Sequence, residues 1–366
     1  RAVCARDRPP SPKMAPGIGI RASAAAASRA ANKRPRAWGP SGAIDSSPAA
    51  VDEAILKAAE ALLSADALLI CTGAGMGVDA GVPDFRGTEA LFSQFKTMSY
   101  SQMSNAEHFA TDPAFAWGLN YTQLDIYRQA VPHDGFERLL RWVAALSKPW
   151  FCFTSNIDGM LQKAGFPDKQ VVACHGDLRY FQCSVPNCAG SSRPAGAPPA
   201  VWRHSLPTDL AVDTATLRLA DPLLLEDRKM RCPRCGSLAR PNVKFCYDRG
   251  FVTSTFAREK QAAFDRFVGA VRETKRRVVV LELGAGCAIP TVRTKSEEVV
   301  ASGGHGSCLI RVNPNDPQAP FTHPMRCVQL KLGAAEALAR IDEALCGHCP
   351  ELFGGHGFDD DVAMSC

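Results

Sequence analysis

The chain has 366 residues, 46% apolar and 22% charged, the balance of a globular enzyme of about two domains. A formal charge of +5 is too small to mark a nucleic-acid binder on charge alone, and no apolar run approaches the roughly 18 residues that cross a bilayer. The 15 cysteines, an odd number set singly in apolar strands or in two close pairs, exclude a short disulfide scaffold and imply a reducing compartment, buried thiols and one metal site.

Residues 1–49 are rich in Ala, Arg, Ser and Pro, with no acid between Met14 and Ile44. That composition is expected of a plastid or mitochondrial transit segment. A disordered tail, or a nuclear signal at "KRPR", are the alternatives.

From Ser47, a possible N-cap, the pattern becomes α/β. "AAVDEAILKAAEALLSA" carries apolar residues at helical spacing, and "ALLICTG" reads as a buried strand ending in glycine. "FERLLRWVAALS" predicts a helix, "PWFCFTSN" a strand, and "VVACHG" a short strand ending in histidine. Later come the helix "REKQAAFDRFVGAVRET", the strands "RVVVLELGAG" and "SCLIRVN", and a closing helix "LGAAEALARIDEALC". Apolar strands alternating with amphipathic helices predict an α/β fold, a Rossmann-like parallel sheet covered on both faces. Ligands of such sheets bind beyond the strand C-termini, where "GAG", "TSN", "CHG", "GAG" and "VN" all fall. The expected division is a sheet domain over 50–176 and 244–346, a small inserted zinc-ribbon module over 177–243, and a loose Gly-rich, acidic tail over 347–366.

Three constellations carry chemistry. Gly75, Gly77 and Ala80 fit G-x-G-x-x-A, where the backbone approaches a pyrophosphate at a helix N-terminus. The acid that normally follows some 20 residues on is missing, and "GVPDFRG" comes at once, so an ordinary hydride-transfer site is not expected. An unliganded glycine turn would leave Asp84, Phe85 and Arg86 unexplained.

Cys183-x4-Cys188 and Cys232-x2-Cys235 offer four thiolates, a closed tetrahedral set suited to structural Zn2+. In the third constellation, Asn156 and Asp158 leave a strand end, where an amide and a carboxylate can grip a small polar group. His175 ends another strand as a candidate general base or a structural hydrogen-bonder. The other seven histidines receive no role.

In this order, "GAGMGVDAGVPDFRG", "TSNIDGMLQKAG", "CHGDL", the cysteine pairs, "RPNVKF", a second "GAG" and "RVNPND" resemble the sirtuins, NAD-dependent protein deacylases, over about Val51 to Cys346. The resemblance implies a Rossmann-like domain joined to a zinc module, with NAD and an acyl-lysine protein substrate meeting in the cleft between them. From charge and hydropathy, no direct nucleic-acid or membrane partner is expected. It implies that Gly73, Ala74, Gly75, Gly284 and Ala285 hold the dinucleotide, with Ser155 beside the ribose and Asn313 at the adenosine end. Asp84, Phe85 and Arg86 would lie on the cofactor loop, Asn156 and Asp158 in the nicotinamide pocket, and His175 would act as base. The implied reaction opens with expulsion of nicotinamide by the acyl oxygen and ends in free lysine and O-acyl-ADP-ribose. Two alternatives stay open for the chain: mono-ADP-ribosyl transfer or NAD hydrolysis on the same fold, and non-catalytic NAD or ADP-ribose sensing.

This chain departs from the family pattern in four places. Ser155 replaces a glutamine, "CYD" at Cys246–Asp248 replaces Phe-Gly-acid, and "GAGCAIP" lacks the usual hydroxyl. The tyrosine–arginine pair that reads acidic acyl groups is not evident in "GTEALFSQFKTMSY", so a desuccinylase is not indicated.

Overall fold

The computed structural model describes residues 44–83, 98–188, 196, 198–204, 206, 210–319 and 326–353. Asp84, Phe85, Arg86, nearly all of the transit-like segment and the tail beyond 353 lie outside the described residues.

Helix α1 (Pro48–Ser64) begins where Ser47 Oγ accepts the Ala50 N–H, and proline occupies its first turn. It leads into β1 (Ala67–Thr72), whose six residues are all buried. Then follow α2 (Pro113–Gln129), α3 (Asp134–Leu146), β2 (Trp150–Thr154), β3 (Val171–Ala173) and β4 (Gly176–Cys183). The small strands β5 (Val201–Arg203), β6 (Val212–Asp213), β7 (Arg218–Leu219) and β8 (Ala239–Val243) come next. The chain finishes with α4 (Thr255–Glu273), β9 (Val278–Leu283), α5 (Thr291–Ser302), β10 (Cys308–Val312), β11 (Cys327–Leu330) and α6 (Ala334–His348).

The main sheet has the order β11-β10-β9-β1-β2-β3, and every pairing is parallel. Successive β1 side chains face opposite sides, so Leu68 and Ile70 pack with α1, α3 and α6 through Leu62, Leu139 and Ile341. Leu69 and Cys71 pack with α4 and α5 through Phe264 and Val299. Both faces are therefore covered, as an all-parallel sheet requires.

The chain leaves β1 toward β2 on one side and reaches β9 on the other. This reversal opens a crevice at the C-terminal ends of β1 and β9. The second unit is the antiparallel sheet β5-β4-β8 with the β6–β7 ribbon. Helix α2, which the sequence reading did not single out, packs against it: Trp117 Nε1 donates to Ala239 O at 3.1 Å, and its ring meets Phe181 edge-on.

Two expectations are corrected. The residues after β1 do not open a helix but form two 3-10 turns, Ala74–Met76 and Val78–Ala80. Gly81 in the left-handed conformation and Pro83 behind it stop any extension there. Nor is the stretch from 347 loose throughout, because α6 runs to His348 and a turn over Pro350–Phe353 buries the Phe353 ring in the core.

Candidate functional site

The crevice is built from backbone. Gly75 N donates to Gly284 O at 3.0 Å, and Gly284 N to Val312 O at 2.9 Å, which draws the ends of β1, β9 and β10 together. A Cβ on Gly284 would sit 2.4 Å from the Gly75 carbonyl carbon, and its φ of +63° lies where side chains are strained. Two glycines back to back leave a floor with no side chains, over which a flat, anionic group can lie. His133 Nε2 approaches Met76 O at 3.1 Å and Asp79 accepts the Ala335 N–H, so the turn after β1 is pinned from two sides. Sequence reasoning assigned His133 nothing, since a histidine before Asp-Gly carries no local signal.

Beside the floor, the last residues of β1 and β2 are a buried, directly opposed threonine pair, Thr72 and Thr154, whose hydroxyls lie 2.7 Å apart. Thr154 Oγ1 also receives the Asn156 N–H at 3.0 Å, while Asn156 Nδ2 donates to Gly73 O at 2.9 Å. The Asn156–Asp158 turn is thus tied to the glycine floor. Neither threonine was singled out in the sequence; a hydroxyl closing an otherwise apolar strand is the signal that finds them. Ser155 N donates to Thr72 O at 3.1 Å, which places Ser155 on the same rim.

Asp158 lines a small cavity with Thr72, Phe136, Thr154, Asn156 and Asp177. Burial raises its carboxyl to a pKa of about 6, even though the Met160 N–H stabilises the anion, and the Asp177 carboxylate pushes the same way as burial. Asp177 itself is held by the Arg179 guanidinium, whose Nε lies 3.0 and 2.9 Å from its two oxygens.

His175 sits between β3 and β4, half-buried, with Nε2 3.5 Å from Thr291 Oγ1 at the start of α5. Burial, followed by the Lys244 ammonium, holds the imidazole below its ordinary range, while a hydrogen bond to the Ser155 backbone pulls the other way. The ring is therefore neutral at physiological pH, the form a general base needs.

The other expected site residues fall around these. Ala285 is buried behind the floor. Asn313 holds architecture: its Nδ2 donates to Ala285 O, and its Oδ1 accepts from Asn315 N and Asp316 N. It shapes the rim beyond β10 with a side chain already satisfied.

The four cysteines converge. The sulfurs of Cys183, Cys188, Cys232 and Cys235 all lie within 4.8 Å of one another, with 3.6 Å between 183 and 235 and 3.8 Å between 188 and 232. Four thiolates 2.3 Å from a tetrahedral Zn2+ stand about 3.8 Å apart, so the set fits that ion and leaves no position for water. Cys183 ends β4, and Cys232 donates its backbone N–H to Ser237 O in a tight turn.

Tyr247 adopts φ +58° and is 90% exposed, a left-handed position that suits the family's glycine. Its loop is anchored by the buried pair Arg240–Asp248 at 2.8 Å and by Cys246 N donating to Ser104 O at 2.9 Å.

A doubly wound sheet with a side-chain-free crevice at its reversal, a neutral histidine at its rim and an inserted four-thiolate module define a dinucleotide-binding α/β protein. The chain belongs to the Sir2 family, whose model matches residues 73–268. It is 25% identical over 293 residues to an NAD-dependent protein deacylase of Thermus thermophilus, covering 79% of this chain and 94% of that protein. It is 27% identical over 297 residues to a probable bifunctional ADP-ribose hydrolase/ADP-ribosyltransferase of Fusarium oxysporum f. sp. cubense, covering 76% of this chain but only 46% of that longer protein. The solved structure of a Sir2 homolog–NAD complex superposes with a TM-score of 0.53 at 20% identity, over 79% of this chain and 94% of that one, a likeness of fold.

Proposed function

We propose that this chain is an NAD-dependent protein-lysine deacylase with a structural zinc. It converts acyl-lysine, NAD and water into lysine, nicotinamide and O-acyl-ADP-ribose. The observation that carries this reading is the placement of the neutral His175 imidazole on the same strand-end rim as the Gly75–Gly284 floor and the Asn156–Asp158 turn.

When bound, the dinucleotide supplies a glycosidic bond that breaks with its electron pair leaving on nicotinamide. The glycine floor offers backbone to the pyrophosphate without a side chain in the way. Asn156 is aimed by Thr154 and Gly73, and Asp158 presents a carboxyl that is partly protonated near neutrality, so it can donate to or accept from a carboxamide. Neutral His175 accepts a proton from a ribose hydroxyl as that oxygen takes the acyl group. Zinc, held by Cys183, Cys188, Cys232 and Cys235, would fix the small module and take no part in the chemistry.

Incubation with NAD and a panel of acyl-lysine peptides, products weighed by mass spectrometry, tests this directly. O-acyl-ADP-ribose is the expected product, and His175→Ala lowers its rate by at least about a hundredfold. A second reading, ADP-ribosyl transfer or NAD hydrolysis, is favoured by exposed Tyr247 and by Cys246 N being already bonded to Ser104 O, because both crowd the edge where a peptide would pair. Acyl-independent release of nicotinamide with free or protein-linked ADP-ribose would establish that reading instead. Binding of NAD with no nicotinamide release would make the chain a sensor.

A further inference from the structure

Lys244 follows directly on β8 and stands opposite His175. The β4–β8 register pairs Gly176 with Val243 and Asp177 with Asn242, and one step further Lys244 N donates to His175 O at 2.9 Å. Opposed residues of an antiparallel ladder hold their Cβ atoms about 5 Å apart.

The neighbours of Lys244 turn away from the cleft: Val243 and Phe245 are each 6% exposed in the core, and Lys244 between them is exposed. Among the described residues no carboxylate lies in salt-bridge range of its ammonium. The structure thus sets a cation with no described partner across one ladder step from the candidate base.

We infer that Lys244 reads the distal carboxylate of a dicarboxylic acyl group, of the malonyl, succinyl or glutaryl class, on the substrate lysine. This rests on the deacylase reading. In that reading the acyl carbonyl must lie near His175, so an acyl chain that runs two to four carbons beyond that carbonyl carries its distal carboxylate toward the Lys244 ammonium. A short neutral acyl group would leave the ammonium without a counter-charge. The cation comes from the strand beside the base, so the tyrosine–arginine pair absent from "GTEALFSQFKTMSY" is not needed.

The test is a comparison of kcat/KM for matched acetyl-, butyryl-, malonyl-, succinyl- and glutaryl-lysine peptides at saturating NAD. The full chain, Lys244→Met and Lys244→Arg are assayed in parallel. One charge-assisted hydrogen bond predicts a preference of about tenfold to a hundredfold for an acidic acyl group. That ratio collapses in Lys244→Met and is largely kept in Lys244→Arg. Acetyl turnover at or above succinyl turnover in the unaltered chain overturns the inference while leaving the deacylase reading intact. So does a Lys244→Met effect that, when NAD is varied at fixed peptide, is confined to KM for NAD and equal for every peptide, which would give the lysine to the dinucleotide. Absence of O-acyl-ADP-ribose with every peptide removes the deacylase reading, and this inference with it.

Discussion

At the scale of single residues, the site depends on two groups whose protonation is moved by burial in opposite senses. For His175, burial and Lys244 lower the pKa beneath the ordinary 6.5. The base is therefore competent above the folded pKa and is lost only as pH falls through it. The acid limb of kcat/KM is expected below pH 6.5, and Lys244→Met should move it upward. A limb above 6.5 in the unaltered chain would contradict the assignment of His175 as base. For Asp158 the folded pKa is raised from 3.8 to about 6, so the folded state favours the protonated form. The stability this group contributes is complete below its unfolded pKa and is lost as pH rises through about 6. Asp158→Asn keeps the acceptor for Met160 N and removes the buried charge. It should stabilise the fold by about 1–2 kcal/mol at pH 8, and by much less at pH 4, while depressing nicotinamide release. Thermal melts at both pH values check this; equal gains at the two would show that charge is not the cause.

At the scale of elements, the crevice depends on how closely β1 and β9 end. Neither strand's apolar composition sets that distance; Gly75 and Gly284 do, because their α-carbons meet with no room for a methyl group. Gly284→Ala must push back the Gly75 carbonyl carbon and also hold a left-handed φ. We expect a loss of about 2–4 kcal/mol in denaturant unfolding, and disappearance of any NAD-induced rise in Tm. A mutant that keeps both would show that the floor tolerates a side chain. The buried Arg311 works in the same region, bridging Glu282 on β9 and Glu297 on α5. Such a pair is costly to break from one side, and it keeps α5, and with it Thr291, in place beside His175.

At the scale of the whole molecule, the two units share an interface through α2, where Trp117 lies fully buried against Phe181 and donates to Ala239 O. The thiolate cluster closes the far end of the same small sheet, because Cys183 ends β4 and Cys235 lies four residues before β8. Metal should therefore hold this unit shut by coupling binding to folding. One zinc per chain is expected by elemental analysis. Its removal by a chelator, or Cys188→Ser, should red-shift tryptophan emission as Trp117 meets water, and should open the 184–238 segment to protease before the parallel sheet unfolds. Unchanged emission in metal-free protein would argue that the cluster is not a folding site.

The sequence by itself determined the doubly wound sheet, its two covered faces, the cysteine set and the strand-end positions of Asn156, Asp158 and His175, because hydrophobic periodicity and short turn motifs are local properties. Only the tertiary structure decided what depends on distant segments meeting. The β1 turn stays in 3-10 form, pinned by His133 and Asp79. Thr72 meets Thr154 across 82 positions, and Lys244 comes to face His175 across 69. Asn313 spends its side chain on the loop that follows it. Those contacts follow from strand order and register, which no stretch of residues encodes alone.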